Sequence, residues 1–211
     1  HWVGIVVLAT LAGLGLGLTS VSLTGARRAD TAFERLQDAT LAPDAGIPDV
    51  DGVPEEVIAT VAADPSVITL ARWAFTPVRP DSVEEAGAFI GLDEPFLDEL
   101  YRPVVIEGRW SRPGTDEVMI NETLAETADL EVGDPVDLVS GFEDPQPLGP
   151  ATVVGIVRGT YDVGPAAGGA FLLLDSAFLD AHRDQLQLAP AALLARLTDG
   201  VDGIDDFTAA A

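Results

Sequence analysis

Trp2-Val3-Gly4-Ile5-Val6-Val7-Leu8-Ala9-Thr10-Leu11-Ala12-Gly13-Leu14-Gly15-Leu16-Gly17-Leu18-Thr19-Ser20-Val21-Ser22-Leu23 opens the chain, and Thr24-Gly25-Ala26-Arg27-Arg28 closes the run. No Asp, Glu, Lys or Arg occurs from His1 to Ala26. About 20 apolar residues at about 1.5 Å each span a hydrocarbon core of about 30 Å. A helix that is apolar on every face is deeply buried or sits in lipid. The reading taken is a transmembrane helix over residues 1–26. A buried core helix is the bland alternative. A signal peptide is a third reading, opposed by the missing charged n-region and by the length of the run. The chain begins at His1 rather than Met and is read as a fragment, cut before a next transmembrane helix.

Ala9, Gly13 and Gly17 fall four apart, a small-residue ridge that would let a second membrane helix approach closely. The Gly13-Leu14-Gly15-Leu16-Gly17 cluster is not a dinucleotide loop. Leu18 stands where the third glycine is needed, and no strand-turn-helix context surrounds it. Beyond the run, Ala29, Ala32, Phe33 and Leu36 keep helical spacing, so residues 24–41 read as a stalk that continues the helix out of the bilayer. Arg27 and Arg28 would anchor it at head-group level, and Gly25 would be its weak joint.

The formal charge is −24, from 35 acidic and 11 basic residues; all 11 are Arg. That sign excludes a nucleic-acid partner. An apolar content of 47% argues against a disordered acidic chain. With no Cys, disulfide scaffolds, thiolate zinc sites and cysteine nucleophiles are excluded. Two His, His1 and His182, make no His-rich metal site.

The remaining residues alternate short strands and short helices, which predicts a mixed α+β domain over 46–211, joined to the membrane by a stalk and linker over 27–45. Residues 42–54 read as linker from their Pro, Gly and Asp. Asp49-Val50-Asp51-Gly52 hints at a calcium loop, but Val53 breaks the pattern and a turn is the better reading. Helices are expected over 55–63, 121–128, 176–185 and 201–211, with a helical turn at 95–100. Strands are expected over 67–78, 88–92, 104–110, 117–120, 135–139, 151–157, 170–174 and 191–197, with a Pro/Gly-rich loop at 141–150. Asn121 is placed to cap one helix and Ser176 another.

Val105-Ile106-Glu107-Gly108-Arg109, then Asp116-Glu117-Val118-Met119-Ile120-Asn121-Glu122, then Leu130-Glu131-Val132-Gly133-Asp134-Pro135-Val136 and Val153-Val154-Gly155-Ile156-Val157 form an ordered set. Together with the exit of the apolar run at Gly25-Ala26-Arg27-Arg28, the set resembles FtsX/MacB-like ABC transporter permeases of actinobacterial type. It covers about residues 1–197. The resemblance implies the first transmembrane helix plus a MacB-like periplasmic core domain, held outside the cytoplasm. It implies a non-catalytic scaffold that couples a cytoplasmic ABC ATPase subunit to export or mechanotransmission. It also implies a second permease copy or half, and membrane lipid, as partners. One feature departs from it: Arg27 and Arg28 after the helix would by the positive-inside rule place the domain in the cytoplasm, but the preceding flank is missing and the outside orientation is kept. Without Lys no Walker A loop exists here. A stand-alone membrane-anchored ligand- or protein-binding module is the alternative.

Bond chemistry is not expected, nor any cofactor or metal. The acidic pairs Glu84-Glu85, Asp93-Glu94, Asp98-Glu99 and Asp205-Asp206 read as solvated surface, since a glycosidase needs two carboxyls facing across a cleft of about 5–9 Å. Asp199, Asp202 and Asp205 would make an acidic helical stripe with at most loose calcium binding. His182 reads as exposed surface. No Gly-x-Ser-x-Gly elbow accompanies Ser176. Asn121-Glu122-Thr123 is a glycosylation sequon, irrelevant in a bacterial protein.

Overall fold

A computed structural model of the chain describes residues 32–49, 53–93, 95–141, 143–163, 169–189 and 191–210. The expected membrane helix and stalk joint, with Ala9, Gly13, Gly17, Gly25, Arg27 and Arg28, lie outside the described residues. Among the described residues no helix is long and apolar enough to cross a membrane. The chain divides into His1–Leu36 and Gln37–Ala211. Of the first unit, residues 32–36 are described, and they belong to a helical stretch over 32–39, α1.

The second unit is built on one ten-stranded sheet. Its elements run β1 (Ala45–Asp49), α2 (Glu55–Ala62), β2 (Val67–Thr76), β3 (Val78–Pro80), β4 (Ala86–Gly91), β5 (Val104–Gly108), β6 (Glu117–Asn121), α3 (Glu122–Ala128), β7 (Pro135–Ser140), β8 (Gln146–Arg158), β9 (Ala170–Leu174), α4 (Ser176–His182), β10 (Ala191–Leu197) and α5 (Ile204–Ala210). The strand order is β1-β10-β2-β4-β9-β6-β8-β7-β3, and β5 pairs with β8 off that path. Two pairs are parallel, β4 with β9 and β6 with β8; the rest are antiparallel.

The central strands are continuous apolar runs because they are covered on both faces. Side chains alternate across a strand, and the two cores divide them accordingly. Val118, Ile120, Leu172 and Leu174 enter one core, which α3 and α4 close with Leu124, Phe178 and Leu179. Met119, Phe171 and Leu173 enter the other, closed by Phe96, Leu97, Leu100 and Tyr101. A third cluster joins α2, β10 and α5 through Val61, Ala195, Leu197 and Phe207. Each fully buried aliphatic contributes about 1.5–3 kcal/mol, so the ordering of these runs is strongly specified.

Three expectations are corrected. Part of the 42–54 linker is the edge strand β1, paired in register with β10 from Ala45↔Ala195 to Asp49↔Ala191. Its Pro48 is tolerated because an edge strand need not offer every N–H to a neighbour. The 141–150 loop is shorter than expected, since β8 begins at Gln146 and pairs with Ser140. A register shift between Leu138 and Val139 absorbs the irregular Pro/Gly sequence there. The expected 95–100 helical turn is instead a tight turn closed by an isolated bridge between Phe96 and Leu100.

Candidate functional site at the strand-to-helix step

Asn121 ends β6 in extended backbone (φ −79°, ψ 166°) and begins α3. Its Oδ1 accepts from the Leu124 N–H at 3.0 Å, the capping bond expected from sequence. The same oxygen accepts from the Phe171 N–H at 3.0 Å. Its Nδ2 donates to Asp162 Oδ1 at 2.7 Å and to the Gly169 carbonyl at 2.8 Å. Both donors and both lone pairs are therefore used, in a side chain with no solvent exposure. This one amide ties α3 to the start of β9 and to the turn Thr160–Asp162 that follows β8.

Asp162 is fixed from its other oxygen as well, which accepts from the Gly159 N–H at 2.6 Å. Burial raises its carboxyl above the ordinary range, against the opposing hydrogen bonds from Gly159 and Asn121, and nearby Glu122 raises it further. Glu122, in the first turn of α3, takes Arg158 from the end of β8 in a two-pronged ion pair. Beside this network Tyr101, Tyr161, Phe89, Phe171 and Trp73 form an aromatic cluster, with Phe89 against Phe171 at 4.7 Å and Tyr101 against Tyr161 at 5.2 Å between ring centres. Burial pushes the Tyr101 hydroxyl far above its ordinary value, and Tyr161 upward too. Among the described residues Tyr101 Oη and Trp73 Nε1 are buried without a hydrogen-bond partner. A Cβ at Gly159 would stand 2.6 Å from Tyr101 Oη, so close approach requires glycine there.

The segment that enters the second unit is clipped to the same place. Tyr101 N–H donates to the Leu41 carbonyl at 2.8 Å and Arg102 N–H to the Thr40 carbonyl at 2.5 Å. Leu41, Leu97 and Tyr101 hold positive φ of 49°, 73° and 53°. Such backbone costs about 1–2 kcal/mol per non-Gly residue, and it persists because the surrounding bonds over-determine it.

A groove of about 620 Å³ opens nearby, with Phe96, Leu97, Trp110 and Met119 as apolar lining and Asp98 and Asp175 as polar lining. The Arg102 guanidinium lies 5.3 Å from the Trp110 ring centre. Among the described residues no group of three or more His, Cys, Asp or Glu is placed to hold a metal ion.

The acidic pairs fall into different roles. Asp93 is bound by Arg72 in a bidentate pair that holds its carboxyl below the usual range, the hydrogen bonds outweighing burial. Glu84 and Glu85 are exposed beside a shallow cavity, and Asp98 and Glu99 are exposed. Glu94 lies outside the described residues. Two further expectations are corrected. The cap of α4 is Asp175, whose Oδ1 accepts from the Phe178 N–H at 2.8 Å; Ser176 is the first helical residue. His182 is half-buried rather than exposed, stacked on Phe178 at 4.3 Å with Nδ1 3.1 Å from the Phe178 carbonyl. The Tyr101 cluster, the Thr40 clip and Asp162 escaped sequence reading, because their partners lie tens of residues away and carry no local pattern.

Glu117, at the start of β6, is held by Arg109 through Nη1 and Nη2 at 2.7 and 2.6 Å and by the Arg112 N–H at 3.0 Å. Its carboxyl is pushed down to about 2, first by the Arg109 hydrogen bonds. A carboxyl depressed on folding stabilises above its unfolded value and loses that contribution as pH falls through its folded value. Glu117→Gln is therefore expected to be less stable than the parent at neutral pH, and the gap should close between the ordinary value of 4.5 and about 2. Thermal unfolding of both proteins across that range checks it.

The family model for the MacB-like periplasmic core domain matches residues 2–205. The chain belongs to that family. The core domain is similar to the extracellular domain of the noncanonic ABC-type transporter YknZ from Gram-positive bacteria, at 14% identity and a TM-score of 0.45, over 74% of this chain and 78% of that one. It is also similar to the periplasmic region of MacB from Actinobacillus actinomycetemcomitans, at 10% identity and a TM-score of 0.43, over 72% and 68%. No curated protein matches it. The resemblance carried by the Glu107-Gly108-Arg109 and Glu117–Glu122 motifs thus holds at the level of the MacB-like periplasmic core domain. Its Gly133-Asp134 turn is present as expected, with Gly133 at φ 106° and the Glu131 N–H donating to Asp134 Oδ2 at 2.9 Å.

Proposed function

We propose that this chain is the first membrane helix and extracytoplasmic core domain of an FtsX/MacB-like ABC transporter permease subunit. The supporting observation is a family match that begins at residue 2, inside the apolar run, and continues to residue 205. In this reading the domain does no bond chemistry. It moves with the stalk over 24–41 and passes a conformational change between the bilayer and the outside, driven by an ABC ATPase bound to other parts of the permease. Ala9, Gly13 and Gly17 pack a neighbouring membrane helix, and a second permease copy or half completes the transporter.

The clip at Thr40 and Leu41 supports this use of the domain. Force arriving along α1 would reach Tyr101 and Arg102 through two backbone hydrogen bonds and enter the aromatic cluster. Gly25 is the place to break the transmission. Gly25→Pro in the intact transporter is expected to abolish transport, with ATP hydrolysis by the ATPase subunit persisting uncoupled. A proline inside a helix costs about 3 kcal/mol or more and kinks it. Unchanged transport by this variant would remove the stalk from the mechanism.

A further inference from the structure

The groove beside the aromatic cluster is walled by stretches far apart in sequence: the 96–98 turn with Arg102, the 110–113 connection that leads to β6, and the start of α4. Its volume of about 620 Å³ is that of a small-molecule site. Its rim is mixed, with Trp110 and Pro113 beside Asp98, Arg102, Ser111 and Ser176. Phe96, Leu97 and Met119 form its floor but are only 5%, 7% and 0% exposed, so it offers little to a long apolar chain.

Two opposite charges line this groove without meeting. Arg102 and Asp98 are both exposed, and among the described residues neither side chain forms an ion pair or a hydrogen bond. The other carboxylates of the lining are engaged: Asp175 caps α4 through Oδ1, and Asp180 pairs with Arg183 at 2.8 Å. The Arg102 guanidinium lies 5.3 Å from the Trp110 ring centre, within cation–π range. That contact holds its plane and leaves its N–H edge free to take an oxyanion. A ligand that is only anionic meets a chain of net charge −24. A ligand that is only cationic meets Arg102 on the Trp110 face. A zwitterion avoids both penalties and matches both unpaired groups. We propose that this groove binds a short peptide with free ends, its carboxylate on Arg102, its ammonium at Asp98 and an apolar side chain against Trp110. The inference concerns the folded domain alone and does not depend on the transporter reading.

The test titrates the purified chain, in a maltoside detergent, with the tripeptide Ala-Leu-Ala in three forms: free ends, N-acetylated, and C-amidated. Binding is read by calorimetry. Blocking either end is expected to weaken binding at least about fivefold, as for a lost hydrogen bond to a charged group. Each substitution should erase one discrimination and keep the other. Arg102→Gln should bind the free acid and the amide alike while still preferring the free amine to the acetylated form. Asp98→Asn should do the reverse. Both positions are exposed, and unaltered thermal unfolding shows that the fold is kept. No binding, equal binding of the three forms, or discrimination that survives both substitutions would overturn the proposal. So would tighter binding of glycerophosphocholine than of the free tripeptide, since the groove would then belong to a zwitterionic head group.

Discussion

Asn121→Ala is expected to destabilise the domain by about 4 kcal/mol. Loss of an N-cap costs about 1 kcal/mol, and each buried partner left unsatisfied about 1–3 kcal/mol. Here the Phe171 N–H and the Gly169 carbonyl lose their partner together with the Leu124 N–H and Asp162. Asn121→Ser keeps an oxygen that can cap α3 and should recover about 1 kcal/mol of the loss. Urea unfolding of the two variants measures both numbers. A loss below about 1 kcal/mol for Asn121→Ala would mean that the four bonds are replaced by water and that the amide does not knit β6, β9 and the 160–162 turn together.

Gly108→Ala should cost about 3 kcal/mol, from left-handed strain of about 1–2 kcal/mol and overpacking of about 1–3 kcal/mol. Gly108 holds φ 78°, and a Cβ there would stand 2.2 Å from the Val154 carbonyl oxygen, 3.0 Å from Val132 Cγ2 and 3.1 Å from Gly155 Cα. Two of those neighbours are backbone and cannot swing away. Gly114→Ala supplies the comparison. Gly114 has φ 71° but nothing within 4 Å of the added carbon, so it should lose only the strain, about 1 kcal/mol. The difference between the two variants isolates the close passage of β5 against β8. If they cost the same, that passage is looser than described.

The sequence made the centre of the fold legible and the edges much less so. Val118-Met119-Ile120 followed by Asn121 and Glu122 announces a buried strand turning into a capped helix, and that step stands. The apolar 170–174 and 191–197 runs likewise stand as β9 and β10. β1 was hidden because Ala45-Gly46-Ile47-Pro48-Asp49 has linker composition; only pairing with β10, about 150 residues away in sequence, makes it a strand. The same limit applies at the candidate site. The Asn121 cap spans three residues and is readable, but its bonds to Asp162, Gly169 and Phe171 span 41, 48 and 50. Asp175 displaced Ser176 as the cap of α4 because the helix starts one residue earlier than its composition implied; both residues can cap, and local sequence does not choose between them.

The central claim is that residues from about 27 onward lie outside the cytoplasm, hung from an N-terminal membrane helix. The chain has no cysteine, so a single introduced thiol reports its own location. Ile68→Cys and Val201→Cys replace exposed side chains on the folded domain. In the full-length protein in intact cells, with any cysteine outside residues 1–211 replaced, both are expected to react with a membrane-impermeant maleimide before any permeabilisation. Labelling only after the cells are opened would place the domain in the cytoplasm and contradict the account.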